Sequence, residues 1–180
     1  MIVKSDGSIY FTDPGGNAAP EQWDVTISGV YRVSPDLGSM SLIIDDMVRP
    51  NGLAFSPDEN TLYVADTRRR HVRAYQMQAN GTIAKETSRV FVDLGGTEPG
   101  VPDGIKVDAE GNVYSGGSGG LYIIDPKGKK LGRIVHGQAA TTNVAFGGDD
   151  WKTLYFTTAS TLFSVNVKIA GVPVPAKRTT

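Results

Sequence analysis

The sequence predicts an all-β protein of the β-propeller type, with about four blades present. Three observations carry this. One pattern recurs three times: Pro-Asn-Gly-Leu-Ala-Phe-Ser-Pro-Asp-Glu-Asn-Thr-Leu-Tyr (50–63), Pro-Asp-Gly-Ile-Lys-Val-Asp-Ala-Glu-Gly-Asn-Val-Tyr (102–114) and Thr-Asn-Val-Ala-Phe-Gly-Gly-Asp-Asp-Trp-Lys-Thr-Leu-Tyr (142–155). Multi-strand repeats spaced at roughly 40–50 residues are the mark of propeller blades. Helical periodicity is almost absent; short β-branched and aromatic runs alternate with Gly, Pro, Asp and Asn instead. Finally, each copy joins its first two strands through an acidic or glycine turn.

A fourth copy opens the chain, Ile-Val-Lys-Ser-Asp-Gly-Ser-Ile-Tyr-Phe (2–11), without the polar residue that begins the others. Blade one is expected at 2–5, 8–13, 29–35 and 40–46, and blade two at 51–57, 61–67, 71–77 and 88–94. Blade three is expected at 103–108, 112–116, 120–125 and 132–136. Blade four has 143–148, 153–159 and 161–167, with no clear fourth strand. Asp6-Gly7, Glu110-Gly111 and Asn80-Gly81 read as turns. Asp6, Asp58, Glu110 and Asp150 are expected as turn residues on the far rim. Tyr10, Tyr63, Tyr114 and Tyr155 recur in second strands and are expected to pack between blades. The loop 14–28, with Trp23, is long enough to be a binding element. Residues 1–175 form one domain in this reading, incomplete as a closed ring, and 176–180 a frayed tail.

Bulk composition narrows the chemistry. The 180 residues can build a core, and a net charge of −1 offers nothing to nucleic acid. No apolar run spans a membrane and the start is no signal peptide, so the cytoplasm is the default compartment, with a removed signal left open. Cysteine is absent and histidine limited to His71 and His136, which excludes thiolate and multi-histidine metal sites. Any metal would therefore sit on oxygen and be a hard divalent cation.

Propeller geometry proposes where. The first strand of a blade lies innermost, and the loop between its second and third strands shares the rim where that strand starts. Asn51, Asp103 and Asn143 occupy one repeat position and should share a mouth with 13–23, 66–70, 116–119 and 157–160. Asp103 supplies a charge and Asn51 a neutral carbonyl oxygen, a mixed donor set that suits calcium. The competing reading makes them mere turn or cap residues; a repeated inward polar position argues against it, because buried charge needs a partner. The Arg68–Arg70 run faces the same mouth, so one arginine could bind a hydroxyl or carboxylate. His71 and His136 are expected in outer strands or turns rather than as bases. Gly116–Gly120 is expected as a tight turn, not a nucleotide loop.

The segments Arg-Pro-Asn-Gly-Leu-Ala-Phe-Ser-Pro-Asp (49–58), Leu-Tyr-Val-Ala-Asp-Thr (62–67), 100–114 and Thr-Thr-Asn-Val-Ala-Phe-Gly-Gly (141–148) resemble the gluconolactonase and senescence-marker-protein (regucalcin) family. The resemblance covers essentially the whole chain and implies a six-bladed propeller holding a divalent cation in its channel. It implies Asn51 and Asp103 as metal ligands, with Asp103 also catalytic. Asn143, Arg68 and Trp23 are expected to contact substrate. The family's first-blade Glu has no counterpart, so about two blades are expected to lie outside this sequence. The implied reaction is hydrolysis of a sugar lactone such as glucono-1,5-lactone to the aldonic acid. Calcium is the favoured cation; zinc, manganese and magnesium remain open. Two alternatives stand beside it: a calcium-binding propeller without turnover, and a hydrolase of another ester such as a phosphotriester. The expected partner is a small lactone, with neither nucleic acid nor membrane; oligomeric state is undetermined.

Overall fold

The structure, a computed structural model, describes residues 1–15 and 27–173. Among these there is no helix, and fifteen strands form four antiparallel sheets in chain order. Blade one contains β1 (Ile2–Val3), β2 (Ile9–Asp13), β3 (Gly29–Val33) and β4 (Met40–Ile44). Blade two contains β5 (Pro50–Phe55), β6 (Thr61–Asp66), β7 (His71–Met77) and β8 (Ile83–Asp93). Blade three contains β9 (Ile105–Val107), β10 (Val113–Gly117), β11 (Gly120–Ile124) and β12 (Lys130–Ile134). Blade four has three strands, β13 (Asn143–Gly147), β14 (Thr153–Thr157) and β15 (Leu162–Asn166). Every strand pairs only with its chain neighbours, the meander expected of blades.

The strands differ from expectation most at β8. It starts at Ile83 rather than 88, pairing Ile83 with Met77 across the Asn80-Gly81 turn. A bulge opposite Ala74–Gln76, where the Thr87 hydroxyl accepts from the Gln76 amide (3.0 Å), lets the polar run Lys85–Ser88 stay within the strand. Blade four gains no fourth strand. After β15 the chain instead crosses to blade three, where Ala109 donates to Ala170 (2.8 Å) and Asp108 bridges Gly171.

The core is three clusters, one per blade junction. Tyr10, Val30 and Ile44 meet Leu53, Leu62, Val64 and Tyr75 between blades one and two. Tyr63, Ala65 and Phe91 meet Ile105, Val107 and Val113 between two and three. Tyr114 and Leu121 meet Val144, Leu154 and Phe156 between three and four. Strand β6 explains the pattern: alternate residues point to opposite faces, so Leu62 and Val64 serve one junction and Tyr63 and Ala65 the next. Full burial of such a side chain contributes roughly 1.5–3 kcal/mol. The recurrent tyrosines pack as expected in the first three blades. Tyr10 meets Phe55 edge-on and donates to the Gly81 carbonyl (2.8 Å), and Tyr114 meets Phe146 edge-on. Tyr155 is exposed, as are Leu162 and Val165 on the same blade.

The far-rim turns follow one design. An Asp accepts the backbone N–H two residues on: Asp6 from Ser8, Asp58 from Asn60, Asp150 from Lys152. In blade three this role falls to Asp108, not Glu110. Fully buried, Asp108 accepts from the Glu110 and Asn112 backbone, the Asn112 amide and the Tyr114 hydroxyl. One position of these hairpins demands positive φ. Gly7, Gly111 and Gly128 supply it without strain, whereas Leu37 (φ 60°) and Glu59 (φ 57°) are forced into it. Glu59 compensates by clamping blade one, accepting from Ser5 N (2.8 Å) and pairing with Lys4 (3.2 Å).

Leu37 is 67% exposed and has no such compensation. Leu37→Gly is expected to stabilise the protein by about 0.5–1 kcal/mol, by relieving the left-handed backbone. Glu59→Gly should not. Thermal denaturation of both variants checks the contrast.

Candidate functional site

The first strands meet at the propeller axis through their backbones. Gly52 N–H donates to the Asp103 carbonyl (3.1 Å), and Gly104 N–H donates to the Thr142 carbonyl (3.0 Å). Neither glycine has positive φ, so the Asn-Gly and Asp-Gly pairs are not turns. They are places of close approach. A Cβ on Gly52 would lie 2.7 Å from Ile105 N, and one on Gly104 would lie 2.6 Å from Asn143 Cγ. The residues before these glycines, Asn51 and Asp103, are thereby brought to the contact between first strands, and Asn143 of the next blade lies against Gly104.

Two of these three side chains act on each other. The Asn51 side-chain amide lies near the Asp103 carboxylate and favours its charged form. The same amide donates to Thr67 Oγ1 (3.2 Å), whose own hydroxyl donates to the Pro102 carbonyl (2.8 Å). That leaves the Asn51 carbonyl oxygen as an atom that can accept or ligate. Both residues are half-buried. Desolvation is the largest influence on Asp103 and raises its pKa; the Asn51 amide, the Gly104 N–H and the Arg49 charge act against it. Asn143 is exposed, and its Oδ1 accepts from Val144 N (2.9 Å). It lies over Gly104, beside the pair.

The surrounding rim is organised by a residue that sequence reading did not single out. Asp66, fully buried at the end of β6, accepts from Val48 N (3.0 Å), Arg49 N (3.3 Å), Arg68 N (3.1 Å) and Arg69 N (3.0 Å). One carboxylate therefore ties the segment entering β5 to the loop leaving β6. That loop carries Thr67, Arg68 and Arg70, which with Arg49 and Val101 line an open cavity of about 450 Å³. The only signal for Asp66 and Thr67 in the sequence was their place where a second strand reaches the rim of Asn51. The expected rim neighbours are present: Thr142 N–H donates to the Thr157 carbonyl (2.8 Å) and Ser118 Oγ to the Glu98 carbonyl (2.7 Å). Gly116–Gly120 is a tight hairpin, with Gly117 paired to Gly120.

Trp23 lies outside the described residues, as does most of the 14–28 loop. His71 begins β7, and burial holds its imidazole below the ordinary histidine range. His136 follows β12, bonds Thr141 Oγ1 (2.8 Å) and packs at a tilt against Phe156 and Phe163.

Asp103 and Asn51 can offer one carboxylate and one amide oxygen to a hard cation. Among the described residues no group of three or more His, Cys, Asp or Glu gathers at any point. The donor chemistry fits calcium or a similar ion, but as part of a shell, since calcium takes about six to eight oxygens. Paired with the polarised rim, such a site can orient a small polar molecule beside a basic carboxylate.

The profile of the SMP-30/Gluconolactonase/LRE-like region matches residues 1–160. The chain is 32% identical over 182 residues to a gluconolactonase of Zymomonas mobilis, covering 95% of this chain and 50% of that protein. It is 34% identical over 134 residues to a pentonolactonase of Haloferax volcanii, covering 72% of this chain and 44% of that one. Among solved structures, a gluconolactonase from Xanthomonas campestris superposes with a TM-score of 0.78 at 32% identity, covering 92% of this chain and 55% of the other. A calcium-binding regucalcin from Agrobacterium tumefaciens has the same fold, with a TM-score of 0.75 at 22% identity over 94% of this chain and 61% of its own. The chain spans about half the length of the curated relatives it matches.

Two outcomes follow from the site's geometry. Gly52→Ala should cost about 1–3 kcal/mol, because the axial backbones cannot separate to admit a methyl group without losing their hydrogen bond; urea denaturation measures it. Asp103 binds its proton more readily folded than unfolded, so its ionisation weakens the native state as pH rises through the interval between the two pKa values. Asp103→Asn should therefore melt at a higher temperature than the parent at pH 7 without added metal, and the difference should close below both pKa values.

Proposed function

The chain belongs to the SMP-30/gluconolactonase/LRE-like family, and on that footing we propose that it carries the cation- and substrate-binding face of a divalent-metal-dependent sugar lactonase. The observation that supports the reading is the Asn51–Asp103 pair, an amide and a carboxylate both half-buried and acting on one another where the first strands of two blades touch. The lactonase names of the relatives at 32% and 34% identity support the reaction class.

In this proposal Asp103 and Asn51 supply oxygens to the cation, calcium being favoured. When bound, that cation would polarise the lactone carbonyl and offset the charge of the oxyanion. Asp103 takes the proton of the attacking water. Burial raises its pKa above that of an exposed aspartate, which makes its carboxylate the more basic of the two. The proton then passes to the ring oxygen as the acyl C–O bond breaks, giving the aldonic acid. Thr67 accepts from the Asn51 amide, which fixes that side chain and leaves its carbonyl oxygen for the cation. Asn143 lines the pocket and Arg68 meets the sugar from the rim.

A reading without turnover has one observation in its favour: the described ligand set contains a single carboxylate. Calcium titration calorimetry run beside a pH-stat assay on glucono-1,5-lactone separates the two, since binding without acid release would support the module alone. For the lactonase, acid release should stop on chelation and return with calcium. Asp103→Ala should lower turnover by about a hundredfold or more. A loss under about tenfold would remove Asp103 from the mechanism.

A further inference from the structure

We propose that the sugar taken by this site carries an anionic group, a carboxylate or a phosphate, away from the lactone carbonyl, and that Arg68 and Arg70 bind it. This rests on the lactonase reading for its reaction, though not for its binding step. Among the described residues, the cavity is lined by three arginines, Thr67 and Val101, with no carboxylate. Thr67 joins the two places directly, since it lines the cavity and accepts from the Asn51 amide. Val101, also in the lining, precedes Asp103 by two residues. A ligand spanning a few sugar carbons would therefore reach from the axis to the guanidinium groups.

The arginines are not equivalent. Arg49 acts on Asp103 and belongs in part to that carboxylate. The exposed Arg68 is anchored only through its backbone, on Asp66, and its guanidinium has no ion pair among the described residues. Arg70 gives one Nη2 hydrogen bond to the Gly100 carbonyl (3.3 Å), while its buried Nε has no partner among the described residues. A buried donor left without an acceptor is costly, and an anion would supply one. Arg70 also sits at φ 59°, a conformation in which glycine would be unstrained. Its side chain is thus retained against a backbone preference of about 1–2 kcal/mol. A neutral aldonolactone would offer these two cations hydroxyl groups only, whereas a bidentate oxyanion matches their donors.

The test reads binding separately from turnover. Calorimetry with the calcium-loaded protein compares D-glucuronate and D-glucose 6-phosphate with neutral D-glucose. At least one anionic sugar should bind about tenfold or more tightly than glucose, and the preference should shrink as ionic strength rises. Which of the two binds tighter tells carboxylate from phosphate. Arg68→Gln and Arg70→Gly should each bring the anionic-to-neutral ratio down toward one, while Arg70→Gly, relieved of its strained backbone, should melt no lower than the parent. Equal binding of all three sugars, or a preference that survives both substitutions, overturns the proposal. If the preference holds but no lactone is hydrolysed, the lactonase reading fails and the anion site stands.

Discussion

The close contact of successive first strands at the axis is the constraint on which the rest of the molecule depends. Gly52 and Gly104 each give a backbone hydrogen bond to the next blade, and neither position has room for a side chain. That contact sets the spacing of the blades. It also brings the preceding residues, Asn51 and Asp103, near one another, so a packing requirement becomes a means of gathering polar groups. Asn51 and Asp103 meet because their glycines let the strands touch.

Around this axis the molecule separates its duties by depth. The far rim is all turn chemistry, with Asp58 and Asp150 capping the backbone and Glu59 clamping blade one to blade two. The near rim holds its polar groups with other polar groups. Asp66 is buried with four backbone donors around its carboxylate, and from it hang both the approach to Asn51 and the loop of Arg68 and Arg70. The consequence is an electrostatic gradient across a short distance, from the Asp103 carboxylate through Arg49 to the arginine-lined cavity. A buried carboxylate that spends its hydrogen bonds on the backbone makes a rigid mounting for side chains that must face solvent and substrate.

Much of this was legible because propeller repeats are local. The unbroken apolar run Leu62–Ala65 suits a strand buried on both faces, and the recurrence of Asn51, Asp103 and Asn143 announces a shared radius. What escaped were features that depend on contacts between distant segments. The start of β8 was hidden because Lys85–Ser88 reads as a polar turn until the bulge against Gln76 accommodates it. Asp108 displaced Glu110 as the turn residue because only Asp108 is also reached by Asn112 and Tyr114. The glycines after Asn51 and Asp103 looked like turn formers, and only the neighbouring blade reveals that steric exclusion selects them.

The sequence by itself determined the fold class, the blade boundaries and the polar position of each repeat, because strand period and turn chemistry act over a few residues. Tertiary structure alone decided which of those polar groups touch. It set Asn51 beside a partly desolvated Asp103, turned the Asn143 oxygen toward its own backbone and linked Thr67 both to Asn51 and to the arginine-lined cavity. Those outcomes depend on distances between side chains from different blades, and such distances exist only once the blades have packed.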